Sequence, residues 1–240
     1  MGWLSKAWKS TKKAVSSTAN DVVDTVSSWA DKVSDAVDDI GDSLDDIKDA
    51  FEDIAAEVKD IAEDIVELGY TKKTFGSGND SYTSSSLGAN ILYGGGGNDT
   101  LKVTAGAYNA LYGEDGDDYL SVSVGGYNKL SGGSGNDTLY VSVGLYNDLS
   151  GGDGNDTITV GAGASADIDG GSGNDTITVG YGGYVVVTDS SGDNTITYNA
   201  AAGKVTTGSG ADKITVTAAS NKISSGDGND TISATAASNT

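Results

Sequence analysis

The sequence contains no arginine, histidine, cysteine or proline, and each absence removes a class of chemistry. Without cysteine there is no disulfide framework and no thiolate zinc site. Without histidine there is no imidazole base or ligand, which excludes Ser-His-Asp and Cys-His catalysis and His-rich metal sites. Without arginine there is no bidentate phosphate clamp, and a formal charge of −21 repels a polyanion, so nucleic acid is not expected as a partner. Long apolar runs are missing too. The start, Met1-Gly2-Trp3-Leu4-Ser5-Lys6, does not read as a cleaved signal peptide, and Lys6 stands where N-myristoylation needs Ser or Thr. No segment approaches the roughly 18 apolar residues of a membrane span. With 35 Asp and Glu against 14 Lys in 240 residues, what remains is the chemistry of carboxylates and carbonyls. Their natural partners are hard cations such as Ca²⁺.

Glycine divides the chain. Only Gly2 and Gly41 precede Gly69, whereas thirty-three of the 36 glycines follow it. Residues 1–69 read as an amphipathic helical, coiled-coil-like domain. Val22, Val26, Trp29, Val33, Val37, Ile40, Leu44, Ile47, Phe51, Ile54, Val58, Ile61, Ile65 and Leu68 follow spacings of 3 and 4. The opposite face is acidic, and Gly69 sits where a C′ glycine ends a helix. Straight, a helix over 21–68 would run about 70 Å, so its apolar stripe must oligomerise, fold back near Gly41 or lie along the second domain. Within residues 2–15, Trp3, Leu4, Ala7, Trp8 and Val15 share a face bordered by Lys6, Lys9, Lys12 and Lys13. Two readings fit this basic segment: docking on a membrane or cell surface, or pairing with the acidic helix.

Residues 70–240 are a tandem array. The last aspartate of Gly-x-Gly-x-Asp recurs at Asp80, Asp99, Asp118, Asp137, Asp156 and Asp175, always 19 apart. Asn194 takes the next slot, and Asp212 and Asp230 follow at 18. A fixed period near 19 marks a solenoid of stacked coils. Apolar residues alternate inside each coil, as in Leu139 and Val141 after Asp137 and Leu130 before the next glycine turn. That pattern predicts two short strands per coil with a turn at each end. Nine coils at about 4.8 Å make a rod of about 43 Å. The expected class is α+β: a long N-terminal amphipathic α-helix followed by a parallel β-solenoid of about nine coils.

The glycine turns carry the candidate site. Glycine lets main-chain carbonyls converge without a Cβ clash, and a ladder of aspartates every 4.8 Å or so is costly unless a cation lies between coils. Ca²⁺ takes six to eight oxygens, which carboxylates and carbonyls of adjacent turns can supply. The candidate metal residues are Gly76, Gly78 and Asp80; Gly95, Gly97 and Asp99; Gly116 and Asp118; Gly133, Gly135 and Asp137. They continue with Gly152, Gly154 and Asp156; Gly171, Gly173 and Asp175; Asp212; and Gly226, Gly228 and Asp230. Weak or missing Ca²⁺ is expected at Asn194 and Asp212, whose motifs are degenerate.

Gly132-Gly133-Ser134-Gly135-Asn136-Asp137-Thr138-Leu139-Tyr140 resembles the RTX (repeats-in-toxin) nonapeptide, as do Gly94–Lys102, Gly151–Thr159 and Gly170–Thr178. The resemblance covers about residues 76–240. It implies a Ca²⁺-bound parallel β-roll that folds outside the cell after type I secretion. The usual roll carries two nonapeptides per coil and Ca²⁺ on both edges. Here the second edge reads Gly125-Gly126-Tyr127-Asn128, so stacked Tyr108, Tyr127 and Tyr146 and an Asn90, Asn109, Asn128, Asn147 column are expected as structure. This one-sided 19-residue coil is also similar to the repeat domain of a bacterial ice adhesin. The matching turn column, however, mixes Ser77, Gly96, Asp115, Ser134, Asp153, Ser172, Ser191, Ser209 and Asp227, which suits ice poorly.

The array runs in register into its last residues, and an open solenoid end invites another chain. The expected function is therefore a secreted, calcium-folded structural protein that self-assembles into an extracellular fibre, matrix or surface layer. A surface adhesin or ice-binding module and a small membrane-active RTX effector are the alternatives. No catalysis is expected, because pairs such as Asp117-Asp118 fall on repeat positions.

Overall fold

The computed structural model describes residues 70–218, 220–235 and 239, and in them every regular element is a strand. The expected α+β class is corrected accordingly: the described residues form a parallel β-solenoid and contain no helix. The helix expected over 21–68, the basic segment 2–15 and the helical domain 1–69 lie outside the described residues.

Fourteen strands follow in chain order: β1 (Tyr70–Thr74), β2 (Ser81–Ser84), β3 (Ala89–Gly96), β4 (Thr100–Val103), β5 (Gly106–Asp115), β6 (Tyr119–Ser134) and β7 (Thr138–Asp153). Then come β8 (Thr157–Ser172), β9 (Thr176–Thr188), β10 (Thr195–Tyr198), β11 (Ala202–Thr206), β12 (Lys213–Val216), β13 (Asn221–Ser224) and β14 (Thr231–Ala234). All pairings are parallel, and each residue faces its own repeat equivalent. Leu101 pairs with Leu120, Leu120 with Leu139, Leu139 with Ile158 and Ile158 with Ile177. On the other wall Leu92 pairs with Leu111, Leu111 with Leu130, Leu130 with Leu149 and Leu149 with Ile168. Both columns are at most 2% exposed. Period-two alternation sends Leu, Ile and Val inward and Thr and Ser outward, so in the core these two columns meet a third, of Val103, Val122, Val141, Val160 and Val179.

The second edge differs from the expected turn. In β6, β7 and β8 a single strand of 16 residues runs across both walls. Gly125 still pairs with Gly144, Tyr127 with Tyr146 and Asn128 with Asn147, so the chain bends there without breaking its ladder. Inside the bend, Asn90 Nδ2 donates to Asn109 Oδ1, Asn109 Nδ2 to Asn128 Oδ1 and Asn128 Nδ2 to Asn147 Oδ1, each at 2.8 Å. All four asparagines are fully buried. Outside it, the rings of Tyr108, Tyr127 and Tyr146 stack with centroids 5.3 and 5.2 Å apart.

The step from 19 to 18 residues falls at this same edge. Tyr198 still pairs with Val179, but Ala202 already pairs with Tyr184. The shortened bend is filled by Tyr198, fully buried, whose hydroxyl donates to Val185 O at 2.6 Å with Ala202 O beside it at 3.0 Å. The opposite edge, where the glycine turns stack, is thereby left undisturbed.

Candidate metal centre

At the glycine edge the chain reverses within six residues, Gly132 to Asp137 in the middle of the array. Gly133 and Gly135 hold φ of 122° and 126°, a left-handed conformation that side-chain-bearing residues resist. A Cβ on either would also strike a carbonyl of the preceding coil, Glu114 O or Gly116 O. The turn repeats in register, bonded coil to coil by its own main chain, as in Gly135 N to Asp153 O at 2.8 Å.

Two side-chain ladders run along this edge. The outer one uses the residue before each aspartate: Asn98 Oδ1 accepts from Asp117 N, Asp117 Oδ1 from Asn136 N and Asn136 Oδ1 from Asn155 N. The inner one uses the aspartate itself. Asp118 Oδ1 accepts from Asp99 N, Asp137 Oδ1 from Asp118 N, Asp156 Oδ1 from Asp137 N and Asp175 Oδ1 from Asp156 N, at 2.7–2.8 Å. Asn194 Oδ1 accepts from Asp175 N at 2.8 Å and so takes its turn in the same ladder.

The inner ladder occupies one oxygen of each carboxylate. The other, Oδ2 of Asp99, Asp118, Asp137, Asp156, Asp175 and Asp212, is buried with no hydrogen-bond partner. These residues are at most 3% exposed. For Asp99, Asp118, Asp137 and Asp156 this oxygen lies against the first glycine of its own turn and a carbonyl of the next. A Cβ built on Gly132 would collide with Asp137 Oδ2 and come within 2.5 Å of Gly151 O. On Gly113 it would collide with Asp118 Oδ2 and come within 2.6 Å of Gly132 O. The place a side chain would fill is thus held open and faced by oxygens.

The electrostatics carry the same message. Burial, opposed in part by the ladder hydrogen bond, pushes Asp118 and Asp156 up to about 6 and Asp137 to about 7. Neighbouring aspartates add to the rise. A buried carboxylate without a partner costs several kcal/mol if it stays charged. Row after row of such oxygens is therefore unfavourable in its empty, ionised form and favourable around a hard divalent cation, which oxygen donors suit. No group of three or more Asp or Glu side chains converges among the described residues, so carbonyl oxygens must supply much of any coordination.

The expected residues are brought together unevenly. Asp99, Asp118, Asp137, Asp156 and Asp175 form one continuous row with their glycines, and Asp212 rejoins it with a buried, unpartnered Oδ2. Asp80 and Asp230 are only half-buried, Gly76 and Gly78 are exposed, and so are Gly226 and Gly228. Two kinds of residue escaped the sequence reading. The first glycine of each turn, Gly94, Gly113, Gly132, Gly151 or Gly170, lies closest to the aspartate oxygen, and a Gly-Gly doublet was the signal at all of these but Gly113. Asp189, 5% exposed with an unpartnered Oδ2, stands in the coil of Asn194 at the position that other coils give to that first glycine.

A family model described as the RTX calcium-binding nonapeptide repeat (4 copies) matches residues 76–108, 124–144, 147–164, 167–183 and 206–240, more than half of the chain. The chain has no match among the curated proteins or among the solved structures.

Proposed function

The chain belongs to the RTX calcium-binding nonapeptide repeat family and takes Ca²⁺ as its cofactor, and from that premise we propose that it is a secreted structural protein whose solenoid folds on Ca²⁺ and then associates coil to coil. The row of buried, unpartnered aspartate oxygens carries this reading. Six carboxylates left ionised and dry oppose folding where Ca²⁺ is scarce, and the same six favour it where Ca²⁺ is plentiful, as outside a cell. Asp99, Asp118, Asp137, Asp156, Asp175 and Asp212 would hold the ion, together with carbonyls of the glycine turns. The ion supplies positive charge between coils; the chain's own part is to align each carboxylate through its Oδ1 bond and to keep water out.

Association is supported by β14. It pairs with β12 on one side, is exposed at all four residues and leaves Ile232 47% exposed, although Ile214 in the same column is fully buried. A parallel edge with an apolar residue at its centre accepts a further strand. Purified chain should pass from an unfolded monomer in EGTA to a β-rich species in millimolar Ca²⁺, followed by circular dichroism. Light scattering and electron micrographs should show that species growing in mass. Folding that ignores EGTA would overturn the calcium switch, and a Ca²⁺-loaded monomer at every concentration would overturn assembly.

A binding face is the second reading, and the outward threonines favour it. Thr157 and Thr159, Thr176 and Thr178, and Thr195 and Thr197 pair in register on three successive coils. They make a hydroxyl array on a sheet wall rather than on the mixed turn column. Thermal hysteresis by the Ca²⁺-loaded monomer would favour this reading over a scaffold.

A further inference from the structure

Asn194 interrupts the aspartate row, and in sequence it looks like a lost site. The coil around it tells otherwise. By its 19-residue register Asp189 takes the place of Gly170, Ser190 of Gly171, Ser191 of Ser172 and Asn194 of Asp175, as the pairing of Ser172 with Ser191 fixes. The carboxylate has left the last position of the turn and reappeared at the first.

Its surroundings are built for it. Asn194 keeps the ladder by accepting from Asp175 N through Oδ1, which leaves Nδ2 as a donor in the place where other coils carry an acceptor. That Nδ2 donates to Asp189 Oδ1 at 2.6 Å and also reaches Gly192 O at 3.1 Å. Ser191 N adds a second bond to Asp189 Oδ1 at 3.2 Å. One oxygen of Asp189 is thus held twice, and the other, Oδ2, is buried and unpartnered. It points back toward the preceding coil. A Cβ on Gly170 would collide with Asp189 Oδ2 and come within 2.7 Å of Asp175 Oδ2. In the earlier coils the equivalent space meets one carboxylate oxygen and one main-chain carbonyl, as at Gly151 with Asp156 Oδ2 and Gly170 O. Here it meets two carboxylate oxygens, each on a residue at least nine-tenths buried, neither with a donor from any other residue.

Resting on the calcium reading above, we propose that Asp175 and Asp189 form a two-carboxylate Ca²⁺ site between these coils, with Asn194 as the positioning residue that holds Asp189. Two carboxylates neutralise one divalent cation locally, which a single carboxylate and a carbonyl do not. The coil that looks degenerate therefore binds Ca²⁺, and binds it more tightly than its neighbours. Residues 184–205 fall between the segments that the family model matches, consistent with a ligand outside the repeat's own aspartate position.

The test counts ions on the full chain. Wild type, Asp189→Asn, Asp189→Gly and the double variant D189G/N194D are dialysed to equilibrium against Ca²⁺ alone, and bound metal is measured by mass spectrometry with parallel calorimetric titration. Asp189→Asn should bind one Ca²⁺ fewer per chain and lose the tightest phase of the titration. Asp189→Gly, which restores the residue of the preceding coils, should keep an ion at Asp175 but lose the tightest phase, and decides the matter should Asp189→Asn not fold. D189G/N194D, which moves the carboxylate back to the last position, should likewise keep the count without the tightest phase. Single variants that bind as many ions as wild type, with the same titration, would overturn the site. Wild type that binds no Ca²⁺ would instead overturn the calcium reading itself, so the two failures are distinct.

Discussion

Glu114 sits in the turn slot that its neighbours give to glycine, and it does so at φ 78° where Gly95, Gly133 and Gly152 lie at 99°, 122° and 115°. A left-handed conformation costs a side-chain-bearing residue about 1–2 kcal/mol, part of which glycine returns as extra freedom in the unfolded chain. Glu114→Gly should therefore raise the stability of the Ca²⁺-loaded fold by about 1 kcal/mol. A higher urea midpoint is the expected reading, and an unchanged or lower one contradicts it. The spacing of 19 made every repeat aspartate legible, because a repeat shows itself by position. The division of labour within each carboxylate was not legible, since Oδ1 and Oδ2 differ only in what the neighbouring coil brings to them. Asp189 was hidden for a related reason: it reaches the same space from five residues upstream, and motif spacing ranks positions rather than the places side chains reach.

Among the elements, the bent 16-residue strands depend on the asparagine column at their inner corner. Asn128 accepts from Asn109 Nδ2 and donates to Asn147 Oδ1, both in surroundings closed to water. Asn128→Ala leaves Asn147 Oδ1 a buried acceptor without a partner, at about 1–3 kcal/mol, while Asn109 Nδ2 keeps Gly106 O. A loss of about 1–3 kcal/mol in urea unfolding is expected; a loss well under 1 kcal/mol would mean that the column does not support the corner. The apolar columns and both ladders of the second edge were readable in advance, because Leu, Tyr and Asn recur there at the coil period. The continuity of β6, β7 and β8 was not. Glycines at 125 and 126 signal a tight turn in isolation, whereas in register with Gly144 and Ala107 they allow close packing of coils around a ladder that never opens. The α+β class failed on the described residues, which hold strands alone; what suggested it was the helical periodicity of residues outside them.

At the scale of the whole molecule, protons and Ca²⁺ compete for the same oxygens. Asp118 and Asp156 at about 6, Asp137 at about 7 and Asp189 at about 8 all lie above the value near 3.9 of an unfolded chain. The metal-free fold therefore holds protons that the unfolded chain has released. Its stability from these groups is complete below about pH 4 and is lost as pH rises through about 6 to 8. Calcium-stripped protein should show more strand signal by circular dichroism at pH 5 than at pH 7.5, whereas Ca²⁺-loaded protein should melt higher at pH 7.5 than at pH 5. A metal-free strand signal that rises with pH would contradict the burial of these carboxylates. The exceptions to the repeat have an effect of their own. A stack of like coils has near translational symmetry: sliding one stretch by a whole coil sets Leu on Leu and Asp on Asp again, with little to distinguish the error. Asp189 with Asn194 and the buried Tyr198 have no counterpart one coil away, so a slipped chain sets each against the wrong partner. These irregularities serve as fiducial marks, and they leave a nearly periodic sequence with one native alignment.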